Sequence, residues 1–308
     1  MIQVENLTKY YGKRLAVDNI SFNIDKGEIV GFLGPNGAGK TTTMRILTGF
    51  MAPTRGSVQV ANYDMSRNSL EARQHIGYFP EATPLYTDMT VRAYLEFASR
   101  LRGLDSNRRK TRIDDVVALC HLEEYADVII GKLSKGFRQR VGVAQAIIHE
   151  PEVLIMDEPT IGIDPIQVAM TRQLIKNLGK ERTILLSTHI LPEVSLTCER
   201  VIIINEGRIV AQDSIENLST LFSGTKRIRL EVEGPTEKVV KRLRQIEGVL
   251  QISREGTHYI IGCAAGKDLR GQITQAVIQS GWNLLSIESL EMSLEDIFLK
   301  LTAEEEKG

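Results

Sequence analysis

The sequence predicts an α/β protein: a parallel sheet covered by helices, carrying a helical insertion and followed by a small α+β domain. Three observations carry this reading. Residues 28–33, 153–156 and 183–186 are apolar runs of buried-strand length, with helical spacing between them, most clearly over 166–178. Strands alternating with helices build a parallel sheet covered on both faces. A glycine-rich loop follows the first run at once, and residues 40–48 behind it place Met44 and Leu47 at helical spacing before Gly49. Beyond residue 225 the rhythm becomes β-α-β-β-α-β, the split-βαβ, ferredoxin-like order.

Composition narrows the class. The 308 residues suffice for one large domain or two modest ones. Hydrophobic residues at 42% and charged residues at 25% exclude a disordered or collagenous chain. With 38 Lys+Arg against 39 Asp+Glu there is no global field for nucleic acid, and no nucleic-acid partner is expected. Cys120, Cys198 and Cys263 form neither a disulfide framework nor a metal-ligand spacing, which favours a reducing compartment. Apolar runs such as 201–204 fall far short of the roughly 20 residues that span a bilayer. The start, with Glu5 and no apolar core, does not read as a signal peptide. A cytoplasmic chain is expected.

Along the chain, residues 2–4 and 20–24 read as strands with a turn at 11–14 between them. A helix-rich stretch from Thr90 to about Ala126, with helices over 91–101 and 112–119, reads as the insertion, a subdomain of about 82–140. Arg108-Arg109-Lys110 falls in a connecting stretch there, as a solvated turn or a contact for an anionic partner. The pattern changes at Phe222-Ser223-Gly224-Thr225, which divides a first domain, 1–224, from a second, 225–308. The second domain carries strands at 228–232, 249–253, 257–262 and 284–290, with helices at 238–245 and 269–279. An amphipathic piece over 294–301 precedes an acidic tail.

Gly34-Pro35-Asn36-Gly37-Ala38-Gly39-Lys40-Thr41 fits G-x-x-x-x-G-K-[ST] at every fixed position, with Thr42 directly behind. The glycines let successive N–H groups turn toward one anion, and the following helix adds its positive end. Lys40 reaches the β- and γ-phosphates and the Thr41 hydroxyl ligates Mg²⁺. Such a loop needs an acid on a neighbouring strand. Val153-Leu154-Ile155-Met156-Asp157-Glu158 supplies two: Asp157 to hold Mg²⁺ through water, and Glu158, pointing elsewhere, to act as general base.

With these two motifs the chain resembles the nucleotide-binding subunit of ATP-binding-cassette (ABC) transporters, over roughly residues 1–220. The resemblance implies a P-loop ATPase core with ATP and Mg²⁺ as cofactors. Tyr11 sits where the family places the aromatic that stacks on adenine, although a strand-edge tyrosine fits the position too. Leu133-Ser134-Lys135-Gly136-Phe137 occupies the place of the family signature, usually Leu-Ser-Gly-Gly-Gln. Ser134 and Gly136, the hydroxyl and N–H implied to face phosphate, are kept, while Lys135 and Phe137 depart. Asp157-Glu158-Pro159-Thr160-Ile161-Gly162-Ile163-Asp164 resembles the second acidic motif and the loop after it, and His189 in Ser187-Thr188-His189 matches the switch histidine. The family's Q-loop glutamine, a Mg²⁺ and water contact, is replaced by Glu81, whose carboxylate can still ligate the metal.

In the family, the signature of one subunit completes the ATP site of another. The resemblance therefore implies a dimer around two ATP molecules, with itself or a homologous ATPase subunit. Its motion would drive separate permease subunits and hold the chain on the inner face of the membrane. The signature and the ending over 293–302 resemble export-type ATPases (drug, lipid, polysaccharide or gliding-associated). The alternatives are an importer ATPase whose C-terminal domain senses a ligand, and a soluble non-transport ABC ATPase. Against the last stand the single P-loop and the lack of sustained heptads.

Overall fold

In a computed structural model, which describes residues 1–222, 226–264 and 268–290 together with 295, 296 and 298, the chain opens with a long hairpin. Strand β1 (Ile2–Tyr11) runs antiparallel to β2 (Arg14–Ile24), pairing Ile2 with Ile24 and Tyr11 with Arg14. The strands expected over 2–4 and 20–24 are only its buried base. Asn6 and Asn19 take positive φ at a register shift, so the alternation that marks a strand breaks there while the pairing continues.

The remaining elements of the first part alternate as expected. They are β3 (Ile29–Leu33), α1 (Lys40–Leu47), β4 (Arg55–Val60), β5 (Tyr63–Asp64), α2 (Ser69–Gln74), β6 (Ile76–Phe79), α3 (Val91–Leu101), α4 (Ser106–Leu119), α5 (Lys135–Ile147), β7 (Val153–Asp157), α6 (Pro165–Gly179), β8 (Thr183–Thr188), α7 (Leu191–Thr197), β9 (Arg200–Asn205) and β10 (Arg208–Ser214). Two sheets result. The antiparallel one runs β2-β1-β4-β5, and the larger one β10-β9-β3-β8-β7-β6, parallel except for β10 at its edge.

Every residue of β3, β7 and β8 is buried, which is why these strands read as continuous apolar runs. Phe22 and Val58 of the small sheet join Phe32, Ile155, Leu185 and Ile202 of the large one in a single core that also takes Met44 and Leu47 of α1. Register then fixes the site. Leu33 lies beside Thr188, and Asp157 beside Ser187, so three strands end together at one edge. On the other side of β3, α7 packs so close to Gly31 that an added Cβ would stand 2.7 Å from Val194 Cγ1.

The insertion is built from α3, α4 and α5. Thr90 caps α3 and Asp105 caps α4, accepting from Asn107 N and Arg108 N at 2.9 and 3.0 Å. Helix α4 therefore starts earlier than expected and takes in Arg108-Arg109-Lys110, which is no connecting turn. Arg108 pairs with Glu150 at 2.8 Å and Arg109 donates to the Leu104 carbonyl at 2.9 Å.

The chain divides into two compact units, Met1–Ser214 and Ile215–Gly308. The division falls before α8 (Ile215–Phe222), earlier than the break expected after 224. The second unit contains β11 (Lys226–Glu233), α9 (Thr236–Leu243), β12 (Val249–Glu255), β13 (His258–Cys263), α10 (Arg270–Gln279) and β14 (Asn283–Leu290). Its antiparallel sheet runs β12-β13-β11-β14, so each helical connection steps over one strand, as in a split βαβ. Leu230, Ile261, Val239 and Ile273 form its core. The expected amphipathic piece over 294–301 lies outside the described residues, except for 295, 296 and 298. Among the described residues, no helix is long and apolar enough to cross a membrane.

Asp105→Ala removes the cap of α4 and should lower the denaturation midpoint. Denaturant melts of the full chain check this, and an unchanged midpoint would mean that the Asp105 contacts are unimportant to the insertion.

Candidate active site

The loop between β3 and α1 turns on Gly37 and Gly39, at φ 84° and 108°. Gly39 is held by packing as well, since an added Cβ would lie 2.7 Å from the Ala16 carbonyl, and at Gly34 one would lie 2.3 Å from the Ile204 carbonyl. No side chain caps α1, so its first N–H groups are left for an anion. Lys40 is 5% exposed. Its ammonium donates to the carbonyls of Gly34 at 2.7 Å and Pro35 at 3.1 Å, and lies 3.4 Å from Glu158 Oε1.

Asp157 ends β7 and is fully buried. Ser187 Oγ donates to its Oδ1, while its Oδ2 is buried with no hydrogen-bond partner. Burial pushes the Asp157 carboxyl up, and the hydroxyls of Ser187 and Thr41 pull against it. A buried carboxylate oxygen with no donor, beside a threonine hydroxyl, is a donor set that suits a hard divalent cation. Glu158 leaves the strand with φ 51°, its N–H donating to Ser187 O at 3.1 Å and Ser187 Oγ at 3.2 Å. That turn carries its carboxylate away from Asp157 and between Lys40 and His189, whose Nδ1 lies 2.9 and 3.0 Å from the two Glu158 oxygens.

A cleft of about 500 Å³ opens in front of these groups. Tyr11, Asn36, Gly37, Gly39, Lys40, Thr41, Thr42, Glu81 and Glu158 line it, while Gly34, Pro35 and Ala38 form the inner side of the loop. Tyr11 stands 44% exposed at the end of β1, its hydroxyl donating to Met51 Sδ at 3.1 Å. Arg14, Ala16 and Ile161 also line the cleft and were given no role by the sequence reading.

The signature residues are not brought to this cleft. Ser134 caps α5, accepting from Phe137 N at 3.4 Å, and Gly136 lies against Gln167. Phe137 is taken up in the insertion's own packing, 4.0 Å from the Tyr125 ring centroid with the Arg140 guanidinium 5.0 Å above it. The Lys135 ammonium rests on Gly162, where an added Cβ would stand 2.3 Å from Nζ.

Three further residues support the site without a motif role of their own. Ser187 was signalled only by its register opposite Asp157. Thr160, two residues past Glu158, donates to Glu193, four past His189, and both are buried. Nothing in their spacing announces that pair.

Ser187→Ala leaves Asp157 Oδ1 without its donor in a buried site. The expected loss is about 1–3 kcal/mol of stability, read from denaturant melts. A melt unchanged within error would show that the hydroxyl does not support Asp157.

Comparison with known proteins agrees with this geometry. A profile described as ABC transporter matches residues 17–161. The chain is 35% identical to the bacitracin transport ATP-binding protein BcrA of Bacillus licheniformis, over 98% of this chain and 97% of that one. It is 33% identical to the Nod factor export ATP-binding protein I of Paraburkholderia xenovorans (strain LB400), over 99% and 97%. Among solved structures, the dimeric ATP-binding cassette MJ0796, in a post-hydrolysis state bound to ADP and Pi, superposes with a TM-score of 0.64 at 26% identity, covering 70% of this chain and 99% of that one. A P-loop, a buried acid pair and full-length kinship of this order place the chain in one family: it is an ATP-binding subunit of the ABC transporters, an ATPase.

Proposed function

We propose that the chain hydrolyses ATP with Mg²⁺ as one half of a nucleotide-sandwich dimer and powers export through separate membrane subunits. One observation carries the dimer. Lys40, Thr41 and Glu158 share a cleft that Ser134 and Gly136 of the same chain do not line. A second copy, or a homologous ATPase subunit, would bring its signature helix to close that cleft. The dimeric form of the similar cassette MJ0796 supports this. The export direction rests on kinship with the Nod factor export protein.

Within the site, Lys40 and the N–H groups of the loop hold the β- and γ-phosphates, and the exposed Tyr11 ring stacks on the base. Thr41, Asp157 and Glu81 would hold Mg²⁺, which neutralises phosphate charge when bound. Glu158 takes the proton of the attacking water, and His189, in contact with both its oxygens, orients it toward the γ-phosphate.

A second cleft of about 590 Å³ begins at Thr41, Glu81 and Asp157 and continues between Phe50, Tyr86 and Phe97. Phe50 is 73% and Tyr86 52% exposed. This aromatic groove, between Glu81 and the insertion, would be the docking surface for the permease subunits and would hold the chain on the inner face of the membrane. The second unit, Ile215–Gly308, would be an accessory domain that supplies no residue of the ATP site.

Lys40→Ala should abolish hydrolysis and weaken nucleotide binding, because the lost contact exists in the ground state. Glu158→Gln should hydrolyse at least about a hundredfold more slowly yet bind ATP and elute as a dimer with ATP and Mg²⁺ on size exclusion. A monomer at every ATP concentration would count against the sandwich. A chain ending near Ser223 should keep nucleotide binding; its loss in a folded truncation would show that the accessory domain helps build the site.

A further inference from the structure

A third cavity, of about 790 Å³, lies where α2, the end of α3, the start of α4 and the residues after α5 meet; it shares Leu101 and Arg102 with the far end of the aromatic groove and no residue with the ATP cleft. Its charges do not balance. Arg108 and Arg112 are answered by Glu150, at 2.8 and 3.9 Å, and Arg112 also donates to the carbonyls of Ile147 and Ile148. Asp105 is occupied by the N–H groups that it caps. Arg73 and Arg102 have no carboxylate partner among the described residues. Arg73 Nε donates to the Ser69 carbonyl at 3.0 Å, and Arg102 Nη1 donates to the carbonyl of Arg73 itself at 2.9 Å, which brings the two cations together.

Arg102 and His149 both feel burial and the neighbouring positive charge. Burial and then Arg73 push the Arg102 guanidinium below its ordinary range. Burial and then Arg102 push His149, on the cavity wall, down to about 4. His149 is thus neutral near pH 7. Its Nε2 faces the Ile76 carbonyl at 3.0 Å and must carry the proton, because a carbonyl only accepts. That leaves Nδ1 as a buried acceptor without a partner. Beside the two arginines stand Leu70 and Leu101, each 71% exposed.

Two guanidinium forks with no carboxylate partner among the described residues, beside an apolar rim, describe one ligand chemistry. We propose that this cavity is a second anion site, which takes a phosphate ester between the guanidiniums of Arg73 and Arg102. The forks bind phosphate oxygens in pairs. The two leucines cover its apolar part. The ester is the head group of an anionic phospholipid or a small soluble phosphate ester. Because α2 belongs to the sheet domain and α3 to the insertion, a bound phosphate would replace a repulsion between them by a bridge.

The test uses the full chain with ADP saturating the P-loop cleft. Sedimentation with phosphatidylglycerol-containing vesicles, against pure phosphatidylcholine, reads the lipid arm. The rise in melting temperature with glycerol 3-phosphate reads the soluble arm. Wild type should respond in at least one arm. Arg73→Gln with Arg102→Gln should lose that response by about tenfold or more, with ADP binding intact. Lys176→Gln with Lys180→Gln, exposed and equal in charge change, should keep it. Arg102→Lys, which keeps the charge and loses the fork, should retain part of it and shows that folding is not at issue. A response in the vesicle arm alone identifies a lipid, and in the soluble arm alone a free ester. No response in either arm overturns the site, and so does an equal loss in the lysine control, which would reduce the effect to net charge.

Discussion

The contact on which the site depends is between two buried charges, the Lys40 ammonium and the Glu158 carboxylate, 3.4 Å apart. Each would be expensive alone in a place about 5% exposed, and each is tolerable because the other is there. Lys40 adds two carbonyl acceptors of its own loop and Glu158 adds His189, so the pair sits inside a chain of contacts from the P-loop to the end of β8. The register of β3, β7 and β8 delivers the backbone for all three residues to one edge. The chemistry is therefore assembled by strand pairing rather than by loop flexibility.

Much of this was legible in the sequence, because the residues concerned obey local rules. The P-loop shows as a spacing, the acids as the end of an apolar run, and the parallel strands as runs without alternation. The β-α-β-β-α-β order of the second unit matched its elements to within a few residues, since its strands alternate and its helices are amphipathic. What stayed hidden depends on partners far along the chain. The middle of the first hairpin carries bulges that break its alternation, so only its ends were readable. Helix α4 has a weak apolar face in its first turns, and Asp105 capping rather than periodicity starts it. Ser187 and the Thr160–Glu193 pair act across the ends of β7 and β8, where no spacing rule reaches.

The departures in the signature also have local causes. Phe137, in place of a polar residue, belongs to a stack with Tyr125 and Arg140, so the start of α5 is stiffened by packing within the insertion. The Lys135 ammonium stands over Gly162, and Gln139 Nε2, further along α5, donates to the Ile161 carbonyl at 3.4 Å in the loop after Glu158. The helix that carries Ser134 is thereby joined to the loop that follows Glu158 within a single chain.

Gly31 has no polar side chain and never meets the cleft, yet it sets a distance that matters there. Helix α7 starts two residues beyond His189 and lies on β3 with Val194 pressed into the space a side chain at Gly31 would fill. The missing methyl works as a shim of zero thickness under the helix. A single carbon added there would stand 2.7 Å from Val194 Cγ1 and press α7 away from the sheet without altering one charged atom. The seat of the helix that follows His189 is thus gauged from beneath, by the smallest residue in the strand.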